Sequence, residues 1–537
     1  RGNYICKLRM ENTIQEGMFF NKEDAQHLHL IKAFSDNTDS GEVSEISEIP
    51  ETSTIWPMVT STKENCLGQD CEFYKECFLI KARKEALESE VLIVNHHLFF
   101  ADFVLKDEEL SEILPKANTI IFDEAHQIPL VASFFLGQSI SSSQISNLIQ
   151  DCQQGLKKYP DTIKVLDALS KDFQEIVFEL KKIVSPFPAR LNINNLKNYE
   201  NFEKTYNSLI EKLELLGITL SKHSEENAEL QKLFERSSEL NIKFSSWLKK
   251  DNQNNIYWLE VFARTVQFNE TPISISEQFN KFQEKSDSAW IFTSATLSIN
   301  GSFDHFVKLL GLEKAMTQYL QSPFNYSENA FLYVPKEIPD SKDELFNLVL
   351  VKKALPLIKA SKGRAFVLAT SLKSMEEIGA LLKDELKKNE INYPVITQGE
   401  GPKSDLLQQF KKHGNAILIG SLSFWEGIDV RGPALSLVII DKLPFQSPGD
   451  PVFESKIKLL SEEGINAFMS MQLPEAIIRL KQGVGRLIRD DNDKGVMVIC
   501  DKRIIEKSYG IKIWKSLPPF KRTRNESAVI NFLEELE

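Results

Sequence analysis

The run Thr119-Ile120-Ile121-Phe122, followed at once by Asp123-Glu124, constrains this chain more than any other segment. Apolar and β-branched residues without polar alternation suit a parallel strand covered on both faces. Two adjacent carboxylates at its end repel each other unless a cation offsets their charge. A Walker B element is built this way: the Asp holds Mg²⁺ through its water shell, and the Glu polarises the water that attacks a γ-phosphate. A parallel strand also needs parallel neighbours, joined through helical crossovers.

Runs of the same kind recur. Val91-Leu92-Ile93-Val94 precedes it; Trp290-Ile291-Phe292, Ala365 to Leu368, Ala416 to Ile419, Leu437 to Ile440 and Val496 to Ile499 follow. Helical stretches separate them, so the predicted fold is α/β with two lobes, the first interrupted twice. Residues 136–285 break the pattern, with Leu, Ile and Phe at helical spacing among Lys, Glu and Gln. They read as a largely helical insertion without a chemical motif, a spacer or partner-binding module. Residues 37–54 contain no Lys or Arg and read as a flexible acidic loop.

At 537 residues the chain is too long for one core. It has no apolar run of about 18 residues and no signal peptide, so no membrane span is expected. The net charge of −12 excludes coating a duplex through overall charge. Local basic groups remain at Lys81/Arg83/Lys84, Lys411/Lys412 and Lys521/Arg522/Arg524, each by itself a solvated face.

Six cysteines are too few for a disulfide scaffold and point to a reducing, cytoplasmic compartment. Cys152 and Cys500 read as buried thiols. Cys6 stands upstream of Cys66, Cys71 and Cys77, which are separated by four and five residues. Structural zinc favours tighter pairs, whereas a cubane accepts three grouped thiolates and a distant fourth. Zinc stays open as the alternative.

Two further segments follow strand-like runs, and a third stands near the C-terminus. Thr293-Ser294-Ala295-Thr296 offers hydroxyls toward the Asp-Glu pair. Gly420 to Val430 carries Phe424-Trp425, Glu426, Gly427 and Asp429. Gln482-Gly483-Val484-Gly485 leads into Arg486 and Arg489, which share a face if helical and could reach a γ-phosphate from the second lobe.

In this order the segments resemble motifs of superfamily 2 helicases, with Asp123-Glu124-Ala125-His126 as the DEAH box. Gly363 to Ser371 resembles motif IV. The four cysteines, Val94-Asn95-His96-His97-Leu98, Gln321-Ser322-Pro323-Phe324 and Phe424 to Asp429 resemble the XPD/DinG iron–sulfur branch, in particular its bacterial DinG/YoaA members, over nearly the whole chain. The resemblance implies two RecA-like lobes, the first incomplete, with an iron–sulfur insertion and a helical Arch-type insertion. It implies an iron–sulfur domain at 1–85, first-lobe segments at 86–135 and 286–305, the Arch-type insertion at 136–285 and the second lobe at 306–537.

The function implied is that of a monomeric 5′-to-3′ DNA helicase, dependent on ATP and Mg²⁺. It would act on single-stranded, forked or damaged DNA in repair or at stalled replication, with a repair or replication protein on the helical insertion. Cys6, Cys66, Cys71 and Cys77 would ligate a [4Fe–4S] cluster; Asp123 would bind Mg²⁺ and Glu124 activate water. His126 and Thr296 would couple the ATP site to DNA, and Arg486 and Arg489 would complete the site. Gln482 would orient near the γ-phosphate, with Glu426 and Asp429 linking the lobes. Trp56, Phe73, Tyr74 and Phe78 could stack on bases or pack around the cluster.

One departure is large. No Gly-x₄-Gly-Lys-Ser/Thr phosphate loop occurs. The chain is therefore expected to be a fragment of an active helicase, inactive alone. The alternatives are a non-motor DNA- or partner-binding protein of the same fold and a zinc-stabilised relative.

Overall fold

A computed structural model describes residues 2–17, 22–50, 53–62, 65–107, 114–226, 228–421, 424, 430, 432–447 and 449–536. Helix α1 (Lys7–Glu16) begins at Cys6 and α2 (Phe78–Glu88) begins at Cys77. Ile5, Ile31, Ile55, Trp56, Val59 and Phe78 form the small core beneath them. Trp56 and Phe78 are thus packing residues, whereas Phe73 and Tyr74 are half-buried. Residues 37–50 are not a free loop. Ile46 and Ile49 anchor them in this core while Glu45 and Glu48 face outward, a pattern that polar composition hides. Gly41, at φ +64°, lies so close to Phe78 that a Cβ there would sit 2.2 Å from the ring, so the turn requires glycine.

Residues 91–94 form no strand. Among the described residues nothing pairs with them, and Val91 and Ile93 are 82% and 92% exposed. An apolar run becomes a strand only where a neighbour supplies the hydrogen-bond ladder.

The first lobe continues with β1 (Thr119–Phe122) and α3 (Ile128–Leu136). The insertion then runs through β2 (Gln138–Ser141), α4 (Ser142–Gly155), α5 (Pro160–Val184), β3 (Arg190–Asn192), α6 (Tyr199–Ser221), α7 (Ala228–Lys249), β4 (Asn255–Val261) and β5 (Val266–Pro272). On α6, Phe202, Tyr206, Leu209, Leu213, Leu216 and Leu220 alternate at spacings of four and three, one apolar stripe facing Phe244, Trp247 and Phe268. The four strands make an antiparallel sheet in the order β2-β5-β4-β3, so the insertion is helical but not purely so. A three-residue strand such as Arg-Leu-Asn carries no periodicity to read.

The chain returns through α8 (Ser276–Lys285) to β6 (Ala289–Phe292), which pairs in parallel with β1 so that Phe292 lies beside Phe122. Phe279 of α8 packs on Trp290 and Phe292. Helix α9 (Asp304–Leu310) completes this aromatic core.

The second lobe is a seven-stranded parallel sheet ordered β13-β7-β12-β11-β8-β10-β9. Its strands are β7 (Ala330–Tyr333), β8 (Ala365–Ala369), β9 (Val395–Thr397), β10 (Ile417–Ser421), β11 (Leu437–Ile440), β12 (Gly495–Ile499) and β13 (Lys521–Thr523). Alternate residues face two cores: Phe366, Leu418 and Val438 one, Val367, Ile419 and Ile439 the other. Helix α10 (Leu372–Lys388) follows β8; α11 (Pro451–Glu462) and α12 (Leu473–Val484) lead toward β12.

The insertion also touches the second lobe. Arg190 Nη1 reaches Asp450 Oδ2 at 3.3 Å, and Asn192 Nδ2 donates to Ser455 Oγ at 2.9 Å. Asn195 Nδ2 donates to Glu454 Oε2 at 3.1 Å. Among the described residues, no helix is long and apolar enough to cross a membrane.

Candidate functional site

Strand β1 ends at Phe122, and two backbone hydrogen bonds to the chain after β6 bracket the next turn. Thr293 N–H donates to Phe122 O, and Ala125 N–H to Thr293 O, with Asp123 and Glu124 between them. Glu124 sits at φ 48°, the left-handed region that a non-glycine residue occupies at a cost of about 1 kcal/mol. That turn separates two neighbouring carboxylates. One Asp123 oxygen accepts from Glu124 N–H at 3.0 Å and lies 3.3 Å from the Thr293 hydroxyl. Among the described residues the other accepts nothing, and the side chain is exposed, as a group that holds a hydrated cation requires.

Glu124 is held from several sides. Ser294 Oγ donates to Glu124 Oε2 at 3.2 Å, and His126 Nδ1 lies 3.3 Å from the same oxygen and 3.0 Å from Ser294 Oγ. These contacts place the imidazole proton on Nδ1 and leave Nε2 to accept from the side-chain amide of Gln482, across the seam between the lobes. The His126 hydrogen bond, then the Ser294 hydroxyl and the positive charge of Arg486 hold the Glu124 carboxyl below the usual range. Burial opposes them without prevailing. Thr296 is buried; its N–H donates to Ser294 Oγ at 3.1 Å.

Arg486 and Arg489 do not lie on a helix. Helix α12 ends at Val484, and Gly485 carries the chain into a turn whose N–H groups reach back three residues, Arg486 to Gly483 and Leu487 to Val484. Leu487 and Ile488 are buried and anchor the turn. Arg486 acts electrostatically on Glu124. Arg489 is held through its backbone N–H by Asp493 at 2.8 Å. Glu426 and Asp429 lie outside the described residues. Strand β10 approaches that segment through Gly420, where a Cβ would meet Phe424 at 2.8 Å.

Two neighbours of this site have no role legible in the sequence: His96 enters only through the Val94 to Leu98 resemblance, and Lys481 not at all. His96 follows Asn95, whose side chain accepts from Leu98 N–H at 2.7 Å, and it hydrogen-bonds the Asp123 backbone. Burial lowers its pKa, and the hydrogen bond to the Asp123 backbone opposes that shift. Lys481 Nζ donates to Ser298 O at 2.9 Å, again across the seam.

The four early cysteines are free thiols, each half-buried. Cys6 and Cys77 begin α1 and α2, and their neighbours Lys7 and Glu76 form a 2.8 Å ion pair. Burial raises the Cys6 thiol, with Cys71 and Cys66 adding to the effect; burial also raises Cys71, with Cys66 and Cys77 adding. The thiols therefore lie within electrostatic reach of one another. Among the described residues they are not drawn into ligating geometry. Four thiols are the donor type that an iron–sulfur cluster or a zinc ion takes.

A family described as a helicase C-terminal domain matches residues 354–520. Over 99% of its length the chain is similar to ATP-dependent DNA helicase YoaA of Escherichia coli (40% identical) and of Haemophilus influenzae (39%), covering 83% of each. It is 27% identical to ATP-dependent helicase DinG of Mycobacterium tuberculosis, over 98% of the chain and 81% of that protein. Among solved structures, an XPD helicase superposes with a TM-score of 0.54 at 19% identity, over 84% of this chain and 77% of that one. A second, apo XPD gives 0.50 at 18%, over 80% of each.

Proposed function

The chain belongs to the XPD/DinG family of superfamily 2 DNA helicases, and from that premise we propose that it tracks 5′ to 3′ along single-stranded DNA, in repair or at stalled forks. It is an ATP-dependent DNA helicase. One observation supports its catalytic assignment above the others: Glu124 is fixed by Ser294 and by His126, whose other ring nitrogen meets Gln482 of the second lobe.

Asp123 would hold Mg²⁺, which when bound neutralises phosphate charge. Glu124, kept ionised, polarises the attacking water. Arg486 and Arg489 would add positive charge where the γ-phosphate departs. His126 and Thr296 connect this network to the DNA path, and Gln482 senses the γ-phosphate through His126. Glu426 and Asp429 complete the link between lobes. Cys6, Cys66, Cys71 and Cys77 would hold a [4Fe–4S] cluster, with zinc as the competing occupant.

The first lobe supports a further element. Its two described strands leave Ile121 65% and Ile291 45% exposed, and a two-stranded parallel sheet is not stable with a bare apolar flank. Further elements, a covering helix and the phosphate loop that this sequence lacks among them, would complete the lobe. Without them ATP turnover would be negligible. The missing loop also favours a second reading, a DNA- or partner-binding protein without motor activity. The intact geometry around Glu124 argues against it, since a binding protein needs no poised base.

Polarity is tested with tailed duplexes and the native gene product. Unwinding of the 5′-tailed substrate alone is expected; unwinding of the 3′-tailed one refutes the polarity.

A further inference from the structure

Lys481 belongs to none of the residues that the motifs single out. Its ammonium donates to the backbone oxygen of Ser298 at 2.9 Å. Ser298 is buried and lies two residues beyond Thr296. The N–H of Thr296 donates to Ser294 Oγ, and Ser294 in turn donates to Glu124 Oε2. One short segment therefore carries the hydroxyl that fixes Glu124 at one end and the carbonyl that receives Lys481 at the other.

The next residue, Gln482, meets His126. Adjacent helical residues diverge by about 100° around the axis, so Lys481 and Gln482 grip the first lobe at two separate points. Two points fix an angle as well as a distance. The chain just beyond the segment is held too. Ser516 Oγ donates to Asn300 Oδ1 at 2.9 Å, and His305 hydrogen-bonds the Ser470 backbone. Gln482 serves the base side of the network, whereas Lys481 serves the side that leads away from it.

The chemistry of the group suits a contact that exists only when the lobes meet. Burial lowers the pKa of Lys481, so its charge is costly in the seam unless an acceptor is present. The carbonyl of Ser298 supplies one.

We propose that Lys481 is a positioning residue for ATP hydrolysis: by seating the Ser294–Ser298 segment it holds Glu124 in register with Arg486 when the lobes close. The role presupposes Glu124 as the base and adds a determinant that touches neither nucleotide nor metal.

The test uses the native gene product with ATP, Mg²⁺ and single-stranded DNA, comparing K481M, K481R and the parent after their melting temperatures are matched. K481M is expected to lower kcat about tenfold while KM for ATP changes less than threefold. K481R is expected to keep kcat within threefold of the parent. It should also carry activity to higher pH, because a guanidinium keeps its proton where the buried ammonium loses it. A K481M enzyme within twofold of the parent overturns the proposal. So does a K481R enzyme as impaired as K481M, or one with an unmoved alkaline limb. If the parent shows no DNA-stimulated turnover, or E124Q retains it, the underlying assignment of the site fails instead.

Discussion

The side-chain amide of Gln482, in the second lobe, meets Nε2 of His126, in the first, while the other nitrogen of that imidazole faces Glu124. A single ring thus links Gln482 of the second lobe to Glu124 of the first, and would report the position of one lobe to the proposed base. A hydrogen bond of this kind contributes about 1 kcal/mol. His126→Ala should slow DNA-stimulated ATP turnover by roughly fivefold to tenfold, read in a steady-state assay with and without single-stranded DNA. Unchanged stimulation would show that the contact carries no signal.

The cysteine unit makes a prediction about colour and metal content. Protein purified without oxygen should be brown, with about four iron and four sulfide per chain. Replacing Cys6, Cys66, Cys71 or Cys77 with Ser should remove both, whereas Cys152→Ser should not, since Cys152 is buried in the insertion. Stoichiometric zinc in a colourless protein would decide for the alternative.

His305 predicts an acid limit to stability. Burial pushes its pKa down to about 4, against a hydrogen bond with the Ser470 backbone that favours the charged ring. Among the described residues its buried Nε2 has no partner, so protonation would strand a charged N–H there. The folded pKa lies below the unfolded value of about 6.5, so the stabilisation is complete above that pH and lost as pH falls toward 4. Between pH 6.5 and 5 the loss is on the order of 2 kcal/mol. His305→Gln should flatten the fall in melting temperature over that interval, and a parallel fall in both proteins would refute the assignment.

The insertion is joined to the first lobe by the chain and to the second by Arg190, Asn192 and Asn195 against Asp450, Ser455 and Glu454. These partly exposed polar pairs are each worth about 1 kcal/mol or less. Replacing all three donors with Ala should raise hydrogen exchange at residues 190–195 and 450–455 and leave the melting temperature within a few degrees. Exchange that stays flat would mean that backbone packing alone holds the insertion in place.

The sequence revealed those parts of the fold that rest on local pattern. Strands such as Ile417–Ser421 and Leu437–Ile440 are apolar because both faces are covered, and their runs are unmistakable. The network around Glu124 was also visible, because Thr293 to Thr296 follows β6 as Asp123 follows β1. Features set by distant partners were not visible. Val91 to Val94 has strand composition but no ladder among the described residues. Arg486 and Arg489 sit at helical spacing, yet Gly485 ends the helix before them. Lys481 differs from any surface lysine only in what the opposite lobe presents to it.

The most direct test of the account is single-stranded-DNA-stimulated ATP hydrolysis by the native gene product, comparing the parent with Glu124→Gln. The substitution keeps the shape of the side chain and removes the charge that polarises water. The account predicts that turnover falls by 10²-fold or more, on the order of 3 kcal/mol, while DNA binding is retained. Turnover that survives in Glu124→Gln would contradict it, because another group would then be activating the water.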